Sequence, residues 1–545
     1  MIFSTLFWPF TLFWAFISAS TAAGLAFAGG NRETGDEWRR NKRTVKAGSS
    51  ATSAALLAFP VALLAVRFLM YYVQPSFQGS FFGYWPVLLC TMIPAAVAGL
   101  ICGGHASRKS ITAVVLGAAA LLFVPLIQYG FNAWGSSNAG KHADLPKIRI
   151  AGADEKIPPT DPNHMVKVTK SIAIFKGQTA LSTESGVASR FTVNKESYTL
   201  QFVNGHRYWI APLTPVNNGD TFWTPLMGGR ATSPGYVVVD AENPGKDAWL
   251  KTGYQISLFT DQSWSMSLKR WIYQQGYNDG YLEEPIFEVD DNWVPYYTVT
   301  YVRNAFGGVS GKQLHKVLVV KVEKEEPTLE VFDVKEEPKW VDRVVSRDLV
   351  KEWATDWGLY GGDYARNNFW HVCFGINRTG TMKPADFELA YTTDAHNVWV
   401  IPMTSTHDND HTVIGVLVYE SGKNEGTFYP GIKGFNEPSS VDETMVNARD
   451  NIKHYNVESV QLYSIYGELT WVAIYASPQS IGKSFGGIGI LHAHSQDAAA
   501  VISANDMQTA LRLDATQLAP RNQGGGEISR TVQASREVHG KVQRI

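Results

Sequence analysis

Four long apolar stretches, at residues 2–28, 51–73, 84–104 and 111–131, crowd the first 134 residues of this chain. Each holds the roughly 20 residues that a helix needs to cross about 30 Å of hydrocarbon, so the pattern predicts a four-helix transmembrane region at 1–134. The connections between the stretches give an orientation. Residues 31–50 carry Arg32, Arg39, Arg40, Lys42, Arg43 and Lys46, and the third connection carries His105, Arg108 and Lys109. Residues 74–83 carry no charge. Basic connections stay on the cytoplasmic side, which predicts a multi-pass protein of the plasma (inner) membrane with its N-terminus and everything after about residue 132 outside. A competing reading makes 1–28 a cleaved signal peptide ending at Ala26-Phe27-Ala28, but no basic segment precedes the apolar run.

Inside these stretches Arg67 is the one charge, a mark of a pathway or a snorkelling side chain near a span end. Gly99 and Gly103 form a GxxxG pair suited to close helix packing. No acid lies in any span, which removes support for a proton relay.

Composition narrows the remaining classes. With 48 Lys+Arg against 50 Asp+Glu, the net charge is -2, and no basic face is built to displace counterions from nucleic acid. The 3 cysteines include only Cys373 beyond the apolar region, so that part holds no internal disulfide and no CxxC-type zinc site.

Past a Gly-, Ser- and Pro-rich stretch at 135–165, read as a linker, a loose repeat emerges. Aromatic strand candidates recur at 206–215, 294–303, 397–406 and 469–478, each followed by a second apolar run at 235–243, 315–324, 412–421 and 487–495. Amphipathic helix candidates fall at 263–276, 346–358, 440–455 and 503–514. Helix plus strand pair predicts a large α+β outer domain whose sheets have one face covered by helix. The expected division is 166–335 and 336–514, two pairs of modules, then a polar tail at 515–545.

These helix/antiparallel-strand modules resemble PepSY-like repeats. The stretches 285–302, 336–362 and 403–434, with Pro338-Lys339-Trp340-Val341-Asp342 and Tyr429-Pro430-Gly431 the most distinctive steps, resemble a group of bacterial and phage multi-pass membrane proteins. The resemblance implies a fold and a location and transfers no catalytic residue.

His407-Asp408-Asn409-Asp410-His411 is the densest group of ligand-type side chains, with His407, Asp408, Asp410 and His411 suited to a divalent metal such as zinc. Strand alternation would split these ligands between two faces, and as a calcium loop the run lacks the required Gly and Glu. Ser477–Ser484 approximates a phosphate loop but is followed by Gly-rich strand, not helix. His492 and His494 share a strand face and could meet His371 or the 407–411 group. No hydrolase motif is present.

The function expected on these grounds is non-enzymatic: a membrane protein presenting a repeat domain for binding or self-assembly. Its partners would be the lipid bilayer, copies of itself as a homo-oligomer, or an envelope or protein component. The alternatives are a metal-dependent enzyme at 407–411 and a channel or transporter built around Arg67. The metal reading requires one equivalent of zinc in the purified protein, lost on changing His407 and His411 to Ala, which elemental analysis would measure.

Overall fold

The computed structural model describes residues 7–30, 37–77, 85–102, 139–184, 186–216, 232–262, 266–306, 310–334, 336–338, 340–360, 382–387, 389–392, 397–407, 412–422, 424–430, 432, 435–448, 455–477, 483–495 and 500–518. Three helices open it: α1 (Phe7–Gly30), α2 (Glu37–Tyr72) and α3 (Trp85–Cys102). They meet along a seam of small residues, with Ala22, Ala26, Ala54, Ala58, Ala95 and Ala98 fully buried. Ser18 Oγ donates across it to the Thr91 carbonyl at 2.7 Å. A Cβ on Gly99 would lie 2.8 Å from Leu25 Cβ, so Gly99 is there to let α1 and α3 approach. Arg67 is half-buried on α2, and Gly103 lies outside the described residues.

Among the described residues one helix, Ala51–Tyr72, is long and apolar enough to cross a membrane, while Thr11–Ala23 and Pro86–Gly99 are shorter apolar helices. Residues 111–131 lie outside the described residues. Among the described residues, the expected four-helix transmembrane region is corrected to a single membrane-capable helix. With it falls the multi-pass, plasma-membrane placement with extracytoplasmic ends.

The rest is dominated by sheet. After β1 (Lys147–Ile150) the strands follow in four groups. Sheet 1 holds β2 (Phe191–Val193), β3 (Thr199–Val203), β4 (His206–Pro215), β5 (Ser233–Asp240) and β6 (Trp249–Ile256). Sheet 2 holds β7 (Tyr281–Leu282), β8 (Ile286–Val289), β9 (Pro295–Phe306), β10 (Ser310–Lys321) and β11 (Thr328–Asp333). Sheet 3 holds β12 (Met382–Pro384), β13 (Leu389–Tyr391), β14 (Asn397–Ser405), β15 (Thr412–Glu420), β16 (Glu425–Tyr429) and β17 (Phe435–Asn436). Sheet 4 holds β18 (Asn456–Ile465), β19 (Glu468–Ala476), β20 (Phe485–His492) and β21 (Ile502–Ala504).

Each group is an antiparallel meander, and β1 adds to sheet 3 parallel to β16, with Lys147 opposite Glu425. A helix precedes each group: α4 (Lys170–Thr183), α5 (Leu268–Gln274), α6 (Arg347–Tyr360) and α7 (Pro438–Asn447), with α8 (Met507–Leu518) closing the last. Two hairpins turn on residues in the left-handed region, Asn204-Gly205 and Tyr466-Gly467, as a tight two-residue connection requires.

The central strands bury both faces, and this overturns the expectation of sheets with one face under a helix. On β5, Tyr236 and Val238 pack with Tyr297, Val299, Leu318 and Val320 of sheet 2. Val237 and Val239 point the other way, into a cluster with α4 and Ala476 of sheet 4. On sheet 3, Trp399, Ile401, Leu417 and Tyr419 face Val317 and Val319 of sheet 2. Val398, Val400, Val416 and Val418 face Trp471, Ile474 and Ile490 of sheet 4. Sheet 1 thus packs on 2, 2 on 3, 3 on 4 and 4 back on 1. The result is a closed ring of four meanders, the radial arrangement of a β-propeller, in place of separate PepSY-like α+β modules.

The closure between sheets 4 and 1 differs from the other three. Sheet 4 contributes only Ala476 and the half-buried Phe485 to that cluster, and α4 fills the wedge between the sheets. The stretch read as a linker ties the joint: Thr160 N–H donates to Ser464 O at 2.7 Å, and Lys167 N–H to Ala241 O at 2.8 Å.

The helical segment is docked on α5. Tyr273 packs among Val66, Leu69, Met70 and Phe77 and donates to Pro75 O at 2.9 Å. Arg270 donates to Tyr71 O at 2.8 Å with its guanidinium 4.1 Å from the Tyr71 ring centre. Within α4, a Cβ on Gly177 would sit 2.0 Å from the Tyr198 hydroxyl and 3.1 Å from Val237. Gly177→Ala is expected to lower stability by about 1–3 kcal/mol through overpacking, with Tyr198→Phe recovering part of the loss, read as thermal unfolding midpoints of the full-length protein.

Candidate functional site

The strands nearest the ring axis are cross-linked by side chains. Gln201 on β3 completes the missing ladder to β8: its Nε2 donates to Phe287 O at 2.7 Å and its Oε1 accepts from Val289 N–H at 2.9 Å. Thr160 bridges to Thr392, just beyond β13, and bonds Ser464 of β18. Between β8 and β14 lies a buried polar hub. Asp342 accepts from Phe202 N–H at 2.8 Å and from Asn397 Nδ2 at 3.0 Å. Arg343 donates to Leu200 O at 2.7 Å and lies 5.7 Å from the Trp399 ring centre. Glu288, 1% exposed, accepts from Thr298 Oγ1 at 2.6 Å.

Burial raises the Glu288 carboxyl to about 8, reinforced by the negative charge of Asp342 and opposed by Thr298 and Arg343. Burial likewise raises Asp342, to about 6, against the Phe202 hydrogen bond and the charge of Arg343.

Two joined cavities open beside this hub. The first, about 510 Å³, takes its walls from sheet 1 (Leu200), sheet 2 (Phe287, Tyr297), sheet 3 (Trp399) and Arg343 and Arg347. The second, about 360 Å³, shares Lys170, Glu196, Leu200, Trp209 and Leu389 with the first. It runs under sheet 4 along Glu458, Ser459, Gln461, Val472 and Ile474. Together they draw on all four sheets, which only the axial region of a ring can do. A larger depression of about 750 Å³ lies outward against β1 and β16, with the Arg149–Glu155 ion pair among its walls. It draws on sheet 3 and the chain leading into the ring.

Four residues that line the axial cavities hold a buried side-chain atom with no hydrogen-bond partner: Tyr198 Oη, Tyr297 Oη, Trp399 Nε1 and Gln461 Nε2. Lys170 stands where the two cavities meet, its ammonium 3.4 Å from Glu196, and Glu458 accepts from Ser171 Oγ at 2.7 Å and from Lys483 at 2.6 Å.

His407 is exposed just beyond β14, its N–H donating to Ser405 Oγ at 3.2 Å, and Asp408, Asp410 and His411 lie outside the described residues, as does His371. His492 pairs with Asp514 of α8 at 2.8 Å, and His494 packs edge-on to Phe435. Among the described residues no group of three or more His, Cys, Asp or Glu is placed to hold a metal ion. The sequence reading missed a histidine pair sharing one carboxylate, His164 at 2.8 Å and His206 at 3.2 Å from Glu242. It also missed the axial donors. The one signal was the distinctive run 338–342, whose last residue is the hub aspartate.

No family model matches this chain, and no curated protein matches it. Among solved structures, an endo-arabinase from Bacteroides thetaiotaomicron is similar at 11% identity and a TM-score of 0.17, over 54% of this chain and 72% of that one. At that level nothing about fold or function carries over.

Because both hub carboxyls are raised, the folded state holds their protons more tightly than the unfolded chain does. The stability they contribute is fully present below the ordinary carboxylate range and is lost as pH rises through about 6 and then about 8. Thermal midpoints are expected to fall from pH 5 to pH 8, and Glu288→Gln is expected to flatten that slope; equal slopes would sink this account of the hub.

Proposed function

We propose that this chain is a non-enzymatic binding protein in which a ring of four sheets offers its axial cavity to a ligand. One observation carries the reading: two adjoining cavities together draw their walls from all four sheets. Ligand sites are concave, mostly preformed and lined by apolar residues with a few polar groups, as these walls are. Two of the acids that line the cavities are paired with a base, Glu196 with Lys170 and Glu458 with Lys483.

The helical segment has a separate role in this proposal. Leu56, Leu64 and Phe68 of α2 are 71%, 68% and 61% exposed, an apolar face suited to a lipid bilayer. Arg270 and Tyr273 then couple the ring to that anchor.

The test is native mass spectrometry of the full-length protein in detergent after exposure to a small-molecule extract. A bound adduct is expected in the wild type and is expected to be lost in Ser459→Trp, which fills the second cavity from a half-buried position. An adduct-free wild type, or a zinc equivalent removed by His407→Ala, would overturn the reading.

A further inference from the structure

We infer that the basic opening turns of α2 bind the anionic headgroups of a lipid bilayer; this rests on the bilayer reading of α2 above. α2 is a single helix from Glu37 to Tyr72. Its later part, Ala51–Tyr72, has 22 residues, and only 33% of its apolar window is buried within the protein, where the core helix of a globular domain would be covered. At 1.5 Å per residue it is about 33 Å long, close to the roughly 30 Å of a hydrocarbon layer. Leu57, Val61, Leu64 and Phe68 are exposed at helical spacing and make an apolar stripe along it. The stretch ends at Tyr71 and Tyr72, with the Arg270 guanidinium 4.1 Å and 5.8 Å from their ring centres, a pairing of aromatic and base suited to a membrane interface.

The part of the helix before Ala51 has the opposite character. Residues 37–50 carry Arg39, Arg40, Lys42, Arg43 and Lys46 against one acid, Glu37, and the next acids, Asp36 and Glu33, come before the helix. The helical period sets Arg39, Lys42, Arg43 and Lys46 within an arc of about 100°. Along the axis Lys46 lies about 8 Å and Arg39 about 18 Å before Ala51. That interval covers the headgroup layer and about one Debye length of the solution beyond it. Bases in this zone are attracted to anionic lipid, each adding to the binding. A nucleic acid carries the same charge. Only the short run Ala47 to Ser50 separates the basic turns from the apolar stretch, so a bilayer meets both surfaces together and a nucleic acid meets only one.

The experiment titrates dioleoyl phosphatidylglycerol and dioleoyl phosphatidylcholine, each by itself, into the full-length protein in detergent and counts bound lipid by native mass spectrometry. The glycerol lipid is expected to bind about tenfold more tightly than the choline lipid. A variant combining Arg39→Gln, Lys42→Gln, Arg43→Gln and Lys46→Gln is expected to hold the two lipids equally, with its choline-lipid binding and thermal midpoint as in the wild type. Lys42→Arg with Lys46→Arg, which keeps the charge, is expected to keep the preference. No preference in the wild type, or one undiminished in the Gln variant, would overturn the proposal. A short oligodeoxynucleotide bound by the wild type and not by the Gln variant, with the two lipids held alike, would also overturn it and assign the basic turns to nucleic acid. Flotation with pure phosphatidylcholine vesicles judges the bilayer reading separately. Protein that floats with them yet shows no lipid preference leaves that reading standing without the anionic site, and protein that stays behind overturns both.

Discussion

A strand that is apolar on both faces has to be covered twice, and in this protein nearly every central strand is of that kind. Tyr236 to Val239 on β5, Val317 to Val320 on β10 and Val416 to Tyr419 on β15 are all buried without a break. A helix covers one face of a sheet, so helices alone leave half of this surface wet. Sheets that cover one another leave two outer faces in any open stack, and closing the stack into a ring removes both. Burial of two faces per sheet is thus the constraint from which the architecture follows. The helices are left with the smaller tasks of wedging a joint, as α4 does, or meeting the apolar segment, as α5 does.

Closing the ring has a cost at its axis. Three of the inner strands, β3, β8 and β13, are short, and backbone groups there are left outside the ladders. Side chains take them up: Gln201 for β8, Asp342 and Arg343 for β3, Thr160 for β18. Carrying ionisable groups into such a place removes them from water, and the raised carboxyls of Glu288 and Asp342 are the result. The hub fixes which strand stands next to which, and it also leaves a hollow beside itself where the strands cannot pack flat. The candidate site is a by-product of the same geometry that orders the ring.

Much of the local structure was legible. The aromatic runs at 206–215, 294–303, 397–406 and 469–478 lie on β4, β9, β14 and β19, because short runs of Val, Ile, Tyr and Trp between Gly and Asn have few other conformations open to them. Uninterrupted apolar runs such as Tyr236–Val239 and Val317–Val320 also carried the sign of two-sided burial, which the expectation of a helix on one face passed over. The membrane reading counted apolar length along the sequence, whereas among the described residues only Ala51–Tyr72 is a helix long and apolar enough to cross a membrane. The ligand-type cluster at 407–411 drew notice by density alone, and its one described side chain, His407, points to solvent.

The sequence by itself determined the aromatic strands and the helices that precede sheets 2, 3 and 4, since these depend on neighbours a few residues apart; α4, before sheet 1, was not foreseen. It also determined the absence of an internal disulfide after residue 134, because one cysteine has no mate. Only the tertiary structure decided that sheet 4 returns to sheet 1 and that Lys170, Tyr297, Trp399 and Gln461 border two adjoining hollows. Nothing in the spacing of those four residues relates them. They become neighbours because burying both faces of every sheet admits a ring, and a ring brings one edge of each sheet to a common axis.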